Sequence, residues 1–586
     1  MGVAARTIWP PLPGLLFALS ACLLESTLQP YATGYRVKRV NLPATVADRP
    51  RTPPIIEDPR SAFSYAALRE RLLGPALNLG RWGWLYPLLA AVVGGILRFV
   101  RLGDPAALVF DETYYVKDAY SLLQSGYERA WPEDANDSFT AGNPGVLLEE
   151  PEYVVHPPVG KWMIAAGMAL FGSDNSFGWR FGAALTGTIT VLLLGLIAAR
   201  LFRSAALGGL AGLLLAVDGH HLVHSRTSLL DIFLTFWIVA AFGALLLDRS
   251  DGRRRLARAL AAASPEGGPP PSARLLYGPW LLWRPWRIAA GVCLGLAVGT
   301  KWSALAFVAV FGLMTVLWDV GARRSAGIRE WAVSGLFRDG IPAFFTMIPA
   351  AAAAYLASWT GWLRSDNAYD RNWARENPSE SAGWIPDALR SLWEYHRSAY
   401  TFHNGLSSDH PYKSNAWTWL FMGRPTSFYY ESSEQGQDGC LVDSCSAAVS
   451  SVGNPLIWWA AALCLPILLL CWIGRRDWRA GAILAGVAAG YLPWFAYPDR
   501  TTFFFYAVSF EPFLVLGLVY CLGLALRGFG TVRAPAGPRR RRIGIIAVGC
   551  FTAAALLLSA FFLPVWTAET IPYSDWRLRM WMPSWI

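Results

Sequence analysis

The sequence is short of charge. Only 16% of its 586 residues are Asp, Glu, Lys or Arg, against 54% hydrophobic residues, a balance too apolar for soluble domains of this length. It also lacks a Gly-rich phosphate-binding loop, a zinc-ligand spacing and a hydrolase nucleophile elbow, so nothing points to a nucleotide-fed, zinc-centred or Ser-hydrolase enzyme. Internal repeats are missing, which argues against repeat-built transporters. Cysteine is scarce. Six of the eight, Cys22, Cys293, Cys464, Cys471, Cys521 and Cys550, lie in apolar segments, where a thiol is a small buried hydrophobe. Cys440 and Cys445 instead share a polar loop; if that loop lies outside the cell a disulfide persists there, and both a bridge and free thiols stay open.

What the sequence does contain is a series of apolar runs, several of them long enough to cross about 30 Å of hydrocarbon. They cover roughly 84–101, 180–199, 204–218, 227–247, 286–300, 302–320, 340–359, 455–473, 480–497, 503–526 and 543–563. The expected fold is therefore an all-α polytopic membrane protein with eleven spans. The net charge of +10 reflects topology rather than nucleic acid. Arg200 and Arg203, Arg253 to Arg255, Arg323 and Arg324, Arg475 and Arg476, and Arg539 to Arg542 all fall in alternate loops, which the positive-inside rule assigns to the cytoplasm.

That orientation puts the N-terminus inside and the C-terminus outside. It predicts a cytoplasmic tail over 1–81, Pro-rich between Asn41 and Pro59 and without helical period, then a membrane domain over 82–359 with an outer loop at 102–179. A second outer loop follows at 360–454 and further membrane helices at 455–586.

The first outer loop opens on Phe110-Asp111-Glu112-Thr113-Tyr114-Tyr115. Val116, Ala119, Tyr120 and Leu123 form one stripe on a helical wheel, with Tyr114, Asp118, Ser121 and Ser125 opposite, the pattern of a helix lying on the membrane surface. Asp111 begins that helix, where it is either an N-cap or a base facing a membrane-borne substrate. The helix N-terminus would favour its charged form, giving a weak base. Adjacent acids point about 100° apart on a helix, so one does chemistry and the other orients something.

His156-Pro157-Pro158-Val159-Gly160-Lys161 starts a second surface helix over about 158–171. Lys161 in its first turn either meets an anion such as phosphate or snorkels to the interface. His220, His221, His224 and Arg226 lead into the run at 227–247, and Asp231 lies in its first turns. Their cost in hydrocarbon makes function the default reading, with an Arg226–Asp231 pairing as the structural alternative. His220 and His224 have metal-compatible spacing without a matched carboxylate. Lys301, Arg424 and Arg500 are the remaining outer cations, each able to contact a lipid phosphate or to anchor an interface.

In order along 82–586, Phe110 to Tyr115, His156 to Lys161, Ser225-Arg226-Thr227-Ser228-Leu229-Leu230-Asp231, Gly299-Thr300-Lys301-Trp302 and Gly423-Arg424-Pro425 resemble the protein O-mannosyltransferases, particularly the actinobacterial branch. The resemblance implies a GT-C type glycosyltransferase that transfers mannose, with inversion, from polyprenyl-phosphate mannose to Ser or Thr of unfolded or exported proteins. It implies a plasma-membrane location with the active site on the extracytoplasmic face. It maps the family's base onto Asp111, with Glu112 as the second acid of the motif. His156, Lys161, Arg226, Asp231, Lys301, Arg424 and Arg500 are the candidates for binding substrate and its phosphate.

No cofactor is required by the sequence, a divalent metal is not excluded, and the Sec secretion machinery is a candidate partner. The lumenal β-trefoil of eukaryotic relatives does not fit in 360–454. Two alternatives stay open: a polyprenyl-phosphate-sugar transferase acting on lipid or polysaccharide, and a membrane transporter or flippase.

Overall fold

The computed structural model describes residues 62–264, 268–379, 381–528 and 537–586. Most of the expected tail, with Cys22, lies outside them. Each of the eleven predicted runs is helical. Seven helices among the described residues are long and apolar enough to cross a membrane: Trp82–Phe99, Ser176–Phe202, Leu230–Ala262, Ala304–Ala326, Trp331–Ser358, Pro455–Arg475 and Pro538–Trp566. The other four predicted runs give shorter helices, Ala205–Val217, Pro285–Val298, Trp478–Tyr491 and Glu511–Leu526.

Local sequence sets several boundaries. Asn454 accepts from the N–H groups of Leu456 (3.0 Å) and Ile457 (3.3 Å) ahead of Pro455 at the first helical position, an N-cap followed by a residue that has no N–H to satisfy. Ser204 caps Ala205–Val217 through Leu207 N–H at 3.3 Å.

The chain forms two units. The larger comprises Leu77–Asp248, Pro285–Thr315 and Ala343–Ile586. In it Trp82–Phe99, Ser176–Phe202 and Ala205–Val217 pack on one another, Glu112–Ser125 packs on Val159–Phe171, and Val159–Phe171 packs on Ser176–Phe202. The Val159 N–H donates to Gly299 C=O at 2.9 Å. A Cβ on Gly160 would stand 2.7 Å from Leu230 Cδ2 and 3.1 Å from Thr300 Cγ2, so the glycine lets the His-Pro-Pro-Val-Gly-Lys and Gly-Thr-Lys-Trp segments meet. The segment expected as the second outer loop is not wholly helical. It holds β1 (Ser427–Glu434) and β2 (Ser444–Ser450), antiparallel, with a short β3 (Ile571–Pro572) beyond β2. Gly436 and Gly439, both left-handed (φ 88° and 80°), turn the hairpin, and Cys440 and Cys445 are bridged within it.

The smaller unit comprises Met1–Ala76, Arg249–Arg284 and Val316–Pro342. The expectation of a tail without helical period fails here, because Tyr65–Leu73 is a helix capped by Ser64. Its apolar stripe is only Leu68 and Leu72, too short to register as a period. Both are buried against Leu256, Ala257, Leu260, Ala322, Ala326 and Ile328, so tertiary packing rather than propensity stabilises it. Leu68→Ala should cost about 2–5 kcal/mol and free this helix, read as faster tryptic cleavage after Arg69 and Arg71 in the folded protein.

Candidate active site

The two acids of the motif have opposite environments. Glu112 is fully buried and has every lone-pair direction occupied. Its Oε1 accepts from Arg180 Nε (2.9 Å) and Ser228 N–H (2.8 Å), and its Oε2 from Arg180 Nη2 (2.8 Å) and Val109 N–H (3.0 Å). Arg180 also donates to the carbonyls of Pro105 (2.8 Å) and Ala107 (2.7 Å). The pair therefore ties Ser176–Phe202, the 102–110 loop and the segment entering Leu230–Ala262 to the start of Glu112–Ser125. Glu112 is thus a structural clamp with no free oxygen for chemistry, so the candidacy of both motif acids as catalytic residues narrows to Asp111, with Glu112 as the acid that orients.

Asp111 sits at the N-cap position of Glu112–Ser125 but makes no side-chain cap bond. Its Oδ2 accepts only a long bond from Tyr115 OH, 3.4 Å, and it has no ion-pair partner among the described residues. Burial pushes its carboxyl up to about 6; the Lys301 ammonium opposes the rise and Asp231 adds to it. Desolvation outweighs the helix terminus, so Asp111 is a stronger base than its helical position alone suggests.

Backbone geometry supports this placement. Phe110 is left-handed, with φ 49°, which costs a non-Gly residue roughly 1–3 kcal/mol. Its ring is held by Phe428 (5.0 Å), Phe505 (5.5 Å), Phe503 and His410 (both 6.2 Å).

The surface-helix expectation for Glu112–Ser125 is also corrected. Asp118 and Ser121, assigned to the solvent side, are 5% and 0% exposed. Lys161 explains this: it is fully buried, ion-paired with Glu128, and 3.5 Å from Asp118. Lys161 neither snorkels nor presents a free cation for a phosphate.

Arg226 does not pair with Asp231. It donates to the carbonyls of Leu97 (3.1 Å), Arg98 (3.0 Å), Val100 (2.7 Å) and Arg101 (2.7 Å), closing the C-terminal end of Trp82–Phe99 as a basic residue does at a helix dipole. Arg424 is also taken up, by Pro411 C=O at 2.8 Å, Ser584 C=O at 2.7 Å and the Tyr412 ring. Neither guanidinium faces an open site. His220 Nδ1 donates to Ser451 C=O at 2.9 Å, and among the described residues no group of three or more His, Cys, Asp or Glu is arranged around a metal position.

The remaining candidates converge. A cavity of about 320 Å³ is lined by His156, Asp231, Lys301 and Arg500, with His403, Trp494 and Tyr506. Lys301 Nζ pairs with Asp231 Oδ2 at 2.8 Å and lies over the Tyr506 ring at 5.0 Å. Arg500 donates through Nε to His403 C=O (3.0 Å), stands over Trp494 (5.6 Å), and has no ion-pair partner among the described residues. His156 stacks on His403 at 5.0 Å. Burial drops His403 to about 4 and holds His156 well below its ordinary value, with Lys301 and Arg500 reinforcing both. At neutral pH the cavity thus presents two uncharged imidazoles and two cations, one of them already neutralised by Asp231.

Sequence reasoning missed Arg180, His403 and Tyr506. Arg180 carried a signal, an arginine inside an apolar helix, which is rarely placed there without a partner. His403 and Tyr506 carried none. The clamp predicts a contrast between adjacent acids. Glu112→Ala leaves Arg180 buried and unpaired and should lower stability by about 3–5 kcal/mol, whereas Asp111→Asn should change it by less than about 1 kcal/mol, both read by thermal unfolding of the purified protein.

Comparison with known proteins identifies the family and the fold. The family model described as dolichyl-phosphate-mannose-protein mannosyltransferase matches residues 88–260, and that of the C-terminal four-span region of protein O-mannosyltransferase matches 388–585. The chain is 40% identical to a polyprenol-phosphate-mannose–protein mannosyltransferase of Mycobacterium tuberculosis, over 86% of this chain and 92% of that protein. It is 33% identical to one of Corynebacterium glutamicum, over 85% and 92%. In three dimensions it resembles the S. cerevisiae protein O-mannosyltransferase Pmt1-Pmt2 complex bound to the sugar donor, with TM-score 0.64 at 15% identity, covering 89% of this chain and 94% of that one. The fold is that of the GT-C glycosyltransferases, and the chain, a multi-pass membrane protein, belongs to the protein O-mannosyltransferase family.

Proposed function

We propose that this protein transfers mannose from polyprenyl-phosphate mannose to Ser or Thr hydroxyls of exported proteins, at the extracytoplasmic face of the plasma membrane. Family membership supports the reaction. The observation that carries the site assignment is the freedom of Asp111: of the two motif acids it alone keeps an uncommitted carboxylate, and it lies within the field of Lys301 at the cavity.

The chemistry follows from those groups. Asp111 takes the proton of the acceptor hydroxyl as its oxygen attacks the anomeric carbon. The bond from that carbon to the phosphate oxygen breaks, on the face opposite attack, so the anomeric configuration inverts with a single base. The departing phosphate gains charge, which fixed cations in a water-poor cavity stabilise. Arg500 is the principal candidate because it lines the cavity and no carboxylate neutralises it, and Lys301 contributes what Asp231 leaves. Trp494, Tyr506 and the neutral His156 and His403 offer stacking and hydrogen-bonding surface for the sugar. Acceptors would arrive unfolded, a state the Sec secretion machinery supplies, which makes it the proposed partner.

Purified protein with polyprenyl-phosphate mannose and a Thr-containing peptide should form mannosyl peptide. Transfer to lipid or polysaccharide but never to peptide would instead favour the related transferases. Asp111→Asn should lower kcat at least about 100-fold. Activity of the unaltered enzyme should rise with pH through about 6 and then level off, because the base works only when deprotonated and its pKa is raised to about 6. A rate flat from pH 5 to 8 would remove Asp111 from that role. Arg500→Ala should weaken transfer about 10–100-fold, on the scale of a lost charge-assisted contact, measured as kcat/KM for the donor.

A further inference from the structure

The small outer sheet has an open edge. β1 pairs with β2 on one side only. Its other side has no backbone partner among the described residues.

The ladder shows which groups point there. The Ala448 carbonyl accepts from Ala568 N–H (3.1 Å) beyond the far side of β2, so Ala448 is turned away from β1. Its register partner is Tyr430. In an antiparallel pair turned away from each other, both residues direct N–H and C=O outward. Tyr430 therefore presents its backbone groups at the free edge, and with a period of two so does Ser432. Tyr430, Glu431 and Ser432 are all exposed. Edges of this kind are usually blocked by Lys, Pro, a bulge or a covering element; between Tyr430 and Ser432 there is no Lys, Pro or bulge, the register shift of β1 lying between Ser427 and Tyr429.

The strand begins at the candidate active site. Phe428, two residues before Tyr430, is buried and stacks on Phe110 at 5.0 Å, and Phe110 precedes Asp111. A strand advances about 3.3 Å per residue. A chain paired with Tyr430 and Ser432 would have its next two or three residues alongside Phe428 and Phe110. The Cys440–Cys445 bridge closes the hairpin, so the edge is formed before any ligand arrives, which reduces the ordering cost of binding.

We propose that an extended segment of the acceptor polypeptide adds to β1 as a further strand, bonded to the N–H and C=O groups of Tyr430 and Ser432, and that this presents its Ser or Thr hydroxyl to Asp111. The inference rests on the protein-acceptor reading above. Ladder bonds use the backbone alone, so the mode fits acceptors of varied sequence and requires them to be unfolded.

The test uses the full-length enzyme, polyprenyl-phosphate mannose and a peptide with one Thr, N-methylated at one backbone position at a time. Strand addition predicts about tenfold losses in kcat/KM at alternate positions on one side of the Thr, and little effect between them. Ser432→Pro removes one edge N–H at a position where Pro is tolerated. It should raise the peptide KM about tenfold and leave the donor KM unchanged, while the alternating N-methylation penalties persist, because the peptide N–H groups pair with the carbonyls of Tyr430 and residue 432, which the substitution keeps. An unchanged donor KM also shows that the variant is folded; if it is not, the scan with unaltered enzyme decides. Active enzyme with a scan lacking two-residue alternation overturns the strand addition and leaves the transferase reading intact. Absence of transfer to any peptide overturns that reading itself.

Discussion

The buried ion pair between Arg180 and Glu112 is the constraint from which the rest of the site follows. Two charges removed from water are tolerated only when the partner and further hydrogen bonds replace hydration. Here every direction is filled: two contacts join the side chains, two backbone N–H groups complete Glu112, and loop carbonyls complete Arg180. Because these donors and acceptors come from separate segments, satisfying the pair fixes those segments together. The adjacent residue, Asp111, inherits a defined position without spending its own oxygens on the fold.

The same logic separates scaffold charges from working ones. Lys161 is used up by Glu128 and Asp118, Arg226 by the end of a helix, and Arg424 by backbone carbonyls. Asp111 has no ion-pair partner among the described residues, Arg500 has none and lines the cavity, and Lys301, also in its lining, is held half-committed by Asp231. A base near a cavity that holds cations is what the proposed inverting transfer from a phosphate requires. The low dielectric that raises Asp111 also strengthens any cation's hold on phosphate, so one environment serves both ends of the reaction. The open edge of β1 would add the third element, a track for the acceptor that starts beside Phe110.

Much of the architecture was legible in the chain because apolar length and the asymmetry of arginines are one-dimensional signals. The runs near 84–101, 180–199 and 455–473 became Trp82–Phe99, Ser176–Phe202 and Pro455–Arg475. Tyr65–Leu73 was not legible, since two leucines make no periodicity until Leu256 and Ala326 are brought against them. The strands at 427–434 and 444–450 were missed as well; their stability comes from pairing across a hairpin rather than from local pattern.

By itself the sequence determined that the protein lives in a membrane, gave an expected threading, and singled out Asp111 and Glu112 as the acids to compare, because hydrophobic length, charge asymmetry and motif order are properties of the chain alone. Only tertiary structure decided which acid is free, which cations are spent, and which residues share a cavity. Those depend on partners distant in sequence: Arg180 lies 68 positions from Glu112, and Lys301 lies 70 from Asp231. Whether a buried charge acts or merely holds is settled by what surrounds it in space.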